Sequence, residues 1–216
     1  MLKTSQHLFD FDKNYNKTII GTDEAGRGPG AGGVFAAAVY FDKITDGLIA
    51  DLEILNDSKK LTAKKRDSIF DLIKNNTLNE IICIEVEEIE RINILNASLR
   101  AMNLACTSVA QKIGEENILT LIDGNKLIKN YIYPQEFVIK GDSKSASIAA
   151  ASILAKVSRD RYMENLHDEF PMYNWRKNAG YLTAEHLKAI DEFGTCKYHR
   201  QSFLRKHFEK QLTLGL

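Results

Sequence analysis

Residues 17–41 read KTIIGTDEAGRGPGAGGVFAAAVYF, and this segment carries the strongest structural signal in the chain. Lys17–Asp23 is a short apolar run of the kind that forms a buried strand, and Gly33–Phe41 is a second run with small residues at its centre. Five glycines within residues 26–33 permit the backbone to turn sharply between the two runs. The segment therefore predicts two strands joined by a glycine-rich turn.

Strand-like and helix-like segments alternate through the rest of the chain. Short apolar runs typical of strands recur at Ile81–Val86, Ile118–Ile122 and Phe137–Ile139. Helical spacing or Ala-rich composition marks five further segments, namely Thr62–Ile73, Glu88–Ile113, Ser145–Met163, Ala184–Phe193 and Phe203–Leu212. The order of these segments predicts one compact α/β unit followed by a helical tail.

Length and composition narrow the class of protein. With 216 residues, 44% of them hydrophobic and 27% charged, the chain can bury one sizeable core and is not typical of a disordered segment. No apolar run approaches the roughly 20 residues that a membrane helix needs, and the N-terminal residues show no secretory signal pattern. Cys83, Cys106 and Cys196 are odd in number and widely spaced, which argues against a disulfide framework or a zinc ribbon. These features predict a cytoplasmic protein.

Acidic residues follow three of the predicted strands. Asp23 and Glu24 end the first strand, Asp123 ends the fourth, and Asp142 comes shortly after the fifth. Taken singly, each is also typical of a surface turn or a helix N-terminus. Taken together, oxygen ligands without neighbouring Cys or His favour Mg²⁺ or Mn²⁺, and two such ions would relieve the repulsion among four converging carboxylates. The pattern therefore predicts a two-metal site at the carboxyl ends of the strands.

The glycine-rich turn also fits a different function. Gly28, Gly30 and Gly33 have the G-x-G-x-x-G spacing of dinucleotide-binding folds, and they follow a predicted strand. In such folds the motif opens a helix, whereas the sequence VFAAAVYF after Gly33 is strand-like. Dinucleotide binding is therefore the weaker interpretation, and it would require a helix directly after Gly33.

Basic residues cluster in two places. The sequence DSKKL at residues 57–61 is followed by three more basic residues, and the tail at residues 197–207 reads KYHRQSFLRKH. Basic side chains interleaved with aromatic ones suit contact with phosphates and stacking on sugars or bases. A solvated helix face, or a polar C-terminal helix packed by its own aromatic residues, is the alternative interpretation.

A series of motifs in order along the chain resembles one family, bacterial ribonuclease HII. The motifs span nearly the whole chain from residue 19 to residue 203. They are GTDEAGRGP at 21–29, DSKKL at 57–61, IDG at 122–124, KGDS at 140–143, IAAASILAKVSRDRYM at 148–163, GY at 180–181 with Thr183 and His186, and HRQSF at 199–203.

The resemblance implies a fold and an activity. The fold is an α/β, RNase H-like one, with a central mixed five-stranded sheet flanked by helices and a C-terminal helical extension. We expect a catalytic domain at residues 1–168 and a substrate-binding extension at residues 169–216. The activity is metal-dependent cleavage of the RNA strand of RNA–DNA hybrids and at single ribonucleotides embedded in duplex DNA, leaving 5′-phosphate and 3′-hydroxyl ends.

The resemblance also implies roles for individual residues. It implies that Asp23, Glu24, Asp123 and Asp142 are catalytic and bind two Mg²⁺ or Mn²⁺ ions. It implies that Asp160 supports these metal ligands without binding the metal itself. The residues that it implies contact the substrate are Gly26, Arg27, Gly28, Lys59, Ser143, Ser145, Tyr181, His199 and Arg200. The glycine turn would read the ribose 2′-hydroxyl, and Tyr181 would pack on the sugar at the RNA–DNA junction. Lys59 and the two serines would contact phosphates.

The chain departs from the family pattern beside the site. At residues 30–33 it has Gly-Ala-Gly-Gly where the family usually has Leu-Ala-Gly-Pro, and it has Ala179 where a Lys is frequent. The extra glycines predict a looser turn. All four carboxylates are kept, which favours an active enzyme over the alternative, a non-catalytic hybrid-binding protein of the same fold. We expect a monomer, and residues 213–216 form no clear sliding-clamp-binding motif.

Charge is balanced overall but unevenly distributed. Lys plus Arg and Asp plus Glu both number 29, and a net charge of zero taken alone weighs against a nucleic-acid partner. The basic surplus lies in residues 56–74, 126–165 and 166–216, which hold the implied phosphate contacts, and the acidic surplus lies elsewhere. Binding of nucleic acid is therefore expected to be salt-sensitive and to be weak without a divalent metal.

Overall fold

A computed structural model of the chain describes residues 5–53, 55, 63–114 and 117–214. Five strands form a single sheet in the order β3-β2-β1-β4-β5. The first three strands are joined by antiparallel pairing, whereas β1 with β4 and β4 with β5 are parallel. The strands are β1 (Thr18–Ala25), β2 (Val34–Tyr40), β3 (Leu78–Ile84), β4 (Ile118–Asp123) and β5 (Gln135–Val138). The predicted mixed five-stranded sheet is confirmed.

Helices cover both faces of the sheet and continue beyond it. They are α1 (Gln6–Lys13), α2 (Asp46–Asp51), α3 (Ala63–Asn76), α4 (Val86–Ile92), α5 (Ile94–Ile113), α6 (Ala146–Glu169), α7 (Trp175–Asn178), α8 (Ala184–Phe193) and α9 (Gln201–Leu214), with short 3₁₀ turns at Gly141–Ser143 and Pro171–Tyr173. Of the helices in the described part of the chain, none combines the length and the apolar character that crossing a membrane requires.

The small residues of β2 explain how two helical layers pack on one sheet. Ala36 and Ala38 face the layer of α4 and α5, and Ala37 and Val39 face the layer of α1, α3 and α6. The Ala-rich helix α6 approaches β1 so closely that a Cβ at Gly21 would lie 2.2 Å from the backbone of Ser147. This close approach places α6 beside the carboxyl end of β1.

The C-terminal helices share their own apolar cluster with the last turns of α6. Trp175 and Leu204 are fully buried there against Met163 and Leu166, and Ala31 of the glycine-rich turn joins them. The cluster therefore ties the C-terminal helices to the turn. The division of the chain at residue 168 stays a prediction, and it falls one residue before α6 ends.

Several predicted elements have different bounds in the structure. The long helix predicted for Glu88–Ile113 is broken at Asn93, which has a φ of 66° and accepts a hydrogen bond from the Asn96 N–H at the start of α5. A strand, β2, follows Gly33, so the dinucleotide-binding interpretation is wrong. Strand β3 begins earlier than predicted, β5 is displaced toward the N-terminus by one to two residues, and α1 was not predicted. The predicted cap Thr62 lies outside the described residues.

Candidate active site

Neighbouring parallel strands bring three of the predicted carboxylates to one edge of the sheet. Because Thr22 pairs with Ile122 in the register of β1 and β4, the residues that follow, Asp23 and Asp123, lie side by side. Together with Glu24 they line a crevice of about 400 Å³. Residues of α6 also line this crevice, so the carboxylates at the sheet edge lie next to that helix.

Burial and mutual repulsion dominate the electrostatics of the crevice. Asp23 is 8% exposed. Its burial, then the charge of Asp123 and then that of Glu24, raise the pKa of the Asp23 carboxyl to about 8. Hydrogen bonds from the Ser152 side chain and the Glu24 N–H oppose this shift. The pKa of Glu24 is also raised, mainly by burial, although Arg27 at 3.0 Å lowers it.

The fourth predicted carboxylate lies on a turn attached to the same site. The N–H of Gly141 donates to Asp123 Oδ1 at 2.7 Å, which fixes the 3₁₀ turn Gly141–Ser143 next to β4. Asp142 lies on this turn and is 8% exposed, and it is not among the residues that line the crevice. The structure therefore brings three carboxylates together and places the fourth beside them.

The donor set of the crevice fits a hard divalent cation. Its acidic ligand atoms are carboxylate oxygens, and a cation between them would remove the repulsion that raises the pKa of Asp23. Across the ranges that the structure describes, no three His, Cys, Asp or Glu side chains have the spacing of a ready-made metal cage. The chemistry of the ligands thus suits Mg²⁺ or Mn²⁺, while closure around an ion would need the carboxylates to move closer.

Two buried arginines hold the glycine-rich turn. The Arg159 guanidinium donates to the carbonyl oxygens of Ala31, Gly33 and Ala179 at 3.1–3.3 Å. At Gly26, φ is 102° and a Cβ would lie 2.2 Å from Arg159 Nε. Only glycine therefore permits the turn to pack on this arginine.

Arg200 binds the same turn from the C-terminal side. Its guanidinium donates to Gly32 O at 2.9 Å, Pro29 O at 2.8 Å and Gly33 O at 3.1 Å. Burial, followed by the charge of Arg159, lowers the pKa of Arg200 to about 10, so the side chain remains charged at neutral pH. The donors of Arg200 are thus engaged with the turn, and substrate contact by this residue stays a prediction.

His199 is also buried, with 2% of its surface exposed. Its ring contacts His186 and the Cys196 backbone, and Ala31 pairs with its backbone. The ring of His199 thus packs inside the protein, and direct substrate contact by this residue also stays a prediction. Arg200 and His199 belong to the basic and aromatic pattern of the tail, and in this structure both pack against the glycine turn.

Tyr181 covers the outer side of the turn and remains accessible. Its ring lies 3.2 Å from the position of a Cβ at Gly28, and the side chain is 54% exposed. Gly30 N–H donates to Gly180 O at 2.9 Å, and the Leu182 side chain fills the space beside Gly30. The turn with extra glycines is thus packed and hydrogen-bonded, contrary to the expected loosening.

Comparison with known proteins agrees with this geometry. The family model of ribonuclease HII matches residues 20–211. The chain belongs to the ribonuclease HII family. The family places it among the type 2 ribonucleases H, which are nucleases.

Individual relatives are similar to the chain in sequence, and solved structures are similar to it in fold. The ribonuclease HII of Fusobacterium nucleatum is 46% identical over 205 residues, covering 94% of this chain and 93% of the relative. The fold resembles ribonuclease H2 from Pyrococcus horikoshii with a TM-score of 0.70, at 23% identity, over 86% of this chain and 93% of that one. It also resembles Bst-RNase HIII in complex with Mn²⁺ with a TM-score of 0.65, at 21% identity, over 89% and 66% of the two chains.

The remaining residues that the ribonuclease HII motifs point to have different environments. Ser145 is fully buried and caps α6 by accepting a hydrogen bond from the Ile148 N–H, and its contact with phosphate stays a prediction. Ser143 and Arg27 are exposed beside the carboxylates. Asp160 forms an ion pair with Lys156, a residue that lines the crevice. Lys59 lies outside the described residues.

Sequence reasoning missed one face of α6. Ser152, Lys156 and Arg159 recur at steps of four and three, which places them on one side of a helix. In this ribonuclease HII chain all three line the carboxylate crevice. Polar residues at helical spacing inside the Ala-rich motif were the signal that could have identified this face.

Proposed function

We propose that this chain is a divalent-metal-dependent endoribonuclease that cleaves the RNA strand of RNA–DNA hybrids and cleaves at single ribonucleotides embedded in duplex DNA. The observation that carries the proposal is the position of the Asp23–Glu24–Asp123 crevice directly beside a glycine turn that is held by buried arginines and covered by an exposed Tyr181. A reactive site and a site for recognising a sugar are thus adjacent.

Asp23, Glu24, Asp123 and Asp142 would hold the metal. When bound, Mg²⁺ or Mn²⁺ supplies charge neutralisation at the phosphate and a more acidic water molecule. The Mn²⁺ complex of Bst-RNase HIII, whose fold is similar, supports this choice of ions. The backbone N–H of Gly141, by binding Asp123 Oδ1, aims that carboxylate and keeps the turn with Asp142 close to it.

The glycine turn would recognise the ribose. Because Gly28 is exposed and has no side chain, the sugar can approach the backbone there and its 2′-hydroxyl can hydrogen-bond to it. Arg159 and Arg200 bind the inward-facing carbonyls of the turn, so its shape is set before substrate arrives. Tyr181 would pack on the sugar at the RNA–DNA junction and hold the scissile phosphate over the carboxylates.

Exposed polar residues around the crevice would contact phosphates. Ser143, Arg27 and Lys156 are exposed next to the carboxylates, and Lys59 is expected to contribute from its motif. His199, Arg200 and Ser145 are instead assigned to positioning the turn and α6, because their side chains are buried. In-line attack by water would leave a 5′-phosphate and a 3′-hydroxyl.

The direct test uses a DNA duplex that contains one ribonucleotide and a matched duplex that contains none. We expect cleavage of the first alone, with Mg²⁺ or Mn²⁺ and not with a chelator, and a 5′-phosphate end that a ligase accepts. An Asp123→Asn variant is the control for a contaminating nuclease. Binding of the duplex without cleavage would support the alternative, a non-catalytic hybrid-binding protein, and would contradict this proposal.

A further inference from the structure

A buried hydrogen-bond network lies directly behind Tyr181. The carbonyl oxygen of Tyr181 lies 2.9 Å from His186 Nδ1. On the other side of the same ring, His186 Nε2 lies 3.0 Å from Trp175 Nε1 and 3.1 Å from His199 Nε2. The ring of His186 is fully buried, so solvent does not compete for these atoms.

The partners of the two histidines determine where their protons lie. The indole N–H of Trp175 can only donate, so His186 Nε2 is an acceptor and the proton of this ring is on Nδ1. The backbone N–H of Cys196 donates to His199 Nδ1 at 3.0 Å, so His199 carries its proton on Nε2 and donates to His186. Both rings are therefore neutral, and His186 Nδ1–H donates to the carbonyl of Tyr181.

The same network is joined to the glycine turn. Next to His199, the Arg200 N–H donates to Gly30 O at 2.8 Å, and the Gly30 N–H donates to Gly180 O at 2.9 Å. The segment that carries Tyr181 and the turn beneath its ring are thus both anchored to the His186–His199 pair. Displacing the Tyr181 backbone would displace the ring from Gly28.

We propose that His186 is a positioning residue for ribose recognition. Its Nδ1–H holds the Tyr181 carbonyl and thereby keeps the exposed ring over Gly28, where the sugar would lie. This inference rests on the proposed function, in which Tyr181 packs on the sugar. His186 itself is buried and would not touch the substrate.

Two substitutions of His186 distinguish the hydrogen bond made by Nδ1 from those made by Nε2. In His186→Asn the amide nitrogen can replace Nδ1 and still donate to Tyr181, whereas in His186→Gln the amide reaches the Nε2 side and the Tyr181 carbonyl loses its donor. Both variants disturb the same buried position. Ile190→Ala is the matched control, because Ile190 is a buried residue of the same apolar cluster and the same helix, and its hydrocarbon side chain cannot take part in the hydrogen bonds of the network.

The readouts are kcat on the duplex with one ribonucleotide and Kd for an RNA–DNA hybrid, measured on folded protein. We expect Tyr181→Ala and His186→Gln to lower kcat about tenfold while Kd changes little, because a lost buried hydrogen bond and a displaced ring act on placement. His186→Asn and Ile190→Ala should retain kcat close to that of the wild type.

The outcomes distinguish this inference from the proposal beneath it. If Tyr181→Ala lowers kcat and His186→Gln does not, or if the Asn and Gln variants lose kcat equally, the positioning role of His186 is overturned. If Tyr181→Ala leaves kcat unchanged, or changes kcat and Kd by the same factor, the role of Tyr181 in the proposed function fails as well. A loss of kcat in Ile190→Ala equal to that in His186→Gln would show a purely structural effect.

Discussion

The carboxylate crevice and the glycine turn lie side by side, yet their electrostatics are opposite. In the crevice, buried Asp23 faces Asp123 and Glu24, and like charge together with burial raises its pKa to about 8. In the turn, the buried guanidinium groups of Arg159 and Arg200 donate to carbonyl oxygens, and burial lowers the pKa of both groups. One region thus holds carboxylates that repel one another, and the other holds backbone carbonyls that are bound by buried arginines.

The difference corresponds to the two tasks that the proposed function gives to these regions. A site that must attract a divalent cation gains from carboxylates whose repulsion only the cation relieves. A site that must distinguish ribose from deoxyribose gains from a backbone whose shape does not change, since recognition depends on a single hydroxyl. Substitutions in the two regions should therefore have opposite effects on stability.

The largest expected effect is on catalysis. Asp23→Asn should lower cleavage of the ribonucleotide-containing duplex by at least about 10³-fold, because it weakens the charge that holds the metal at the phosphate. The same substitution should raise the stability of the metal-free protein, since it removes a buried carboxylate that faces like charges. Cleavage rates with Mg²⁺ and urea unfolding in chelator measure the two effects, and unchanged cleavage would contradict the assignment.

The next effect is on stability. Arg200→Met should lower the free energy of unfolding by about 3 kcal/mol, because it leaves buried carbonyls of the turn without donors. Arg205→Met is the matched control, because Arg205 lies on α9 and is exposed. Urea unfolding gives both values. Equal stability of the two variants would show that the buried arginine does not hold the turn.

The smallest effect separates contact from backbone strain. Gly26→Ala adds a methyl group against Arg159 at a φ of 102°, whereas Gly114→Ala adds one at a φ of 67° with no atom of the described residues within 4 Å. Gly114→Ala should cost about 1 kcal/mol from strain alone. Gly26→Ala should destabilise the protein by more than Gly114→Ala does, and it should also slow cleavage. Thermal unfolding of the two variants measures the difference in stability. Indistinguishable variants would mean that the turn adapts to the added methyl group.

The sheet and the carboxylates were predictable because their signals are local. The apolar run of β1 and the acidic pair that ends it are adjacent in sequence, and parallel pairing with β4 brings Asp123 to the same edge. The role of Arg200 was not predictable in this way, since its partner carbonyl at Gly32 is 168 positions away. A basic residue among aromatic ones predicts phosphate contact equally well, and only the packing of the C-terminal helices on the turn decides between the two.

The break between α4 and α5 was also not predictable from the local sequence pattern. Its apolar spacing runs through Asn93 without interruption, and the break depends on one residue that adopts a positive φ and caps the next helix. With a φ of 66° and a ψ of 161°, Asn93 lies outside the left-handed helical region that asparagine favours, so its identity does not signal the break. The expected loosening at Gly30 failed for a related reason, because the side chain of Leu182 occupies the space from a distant part of the chain.

Thermal unfolding with and without Mn²⁺, for the wild type and Asp23→Asn, tests most directly whether burial and carboxylate repulsion in the crevice destabilise the metal-free protein. Because the folded protein raises the pKa of Asp23 from 3.8 to about 8, stability from this group is fully present below pH 3.8 and is lost as pH rises through about 8. In chelator, the variant should therefore unfold at a higher temperature than the wild type, and the gap should widen from pH 6 to pH 9. Millimolar Mn²⁺ should raise the unfolding temperature of the wild type and raise that of the variant much less. An equal Mn²⁺ shift in both proteins, or a variant less stable than the wild type in chelator at pH 9, would contradict this account.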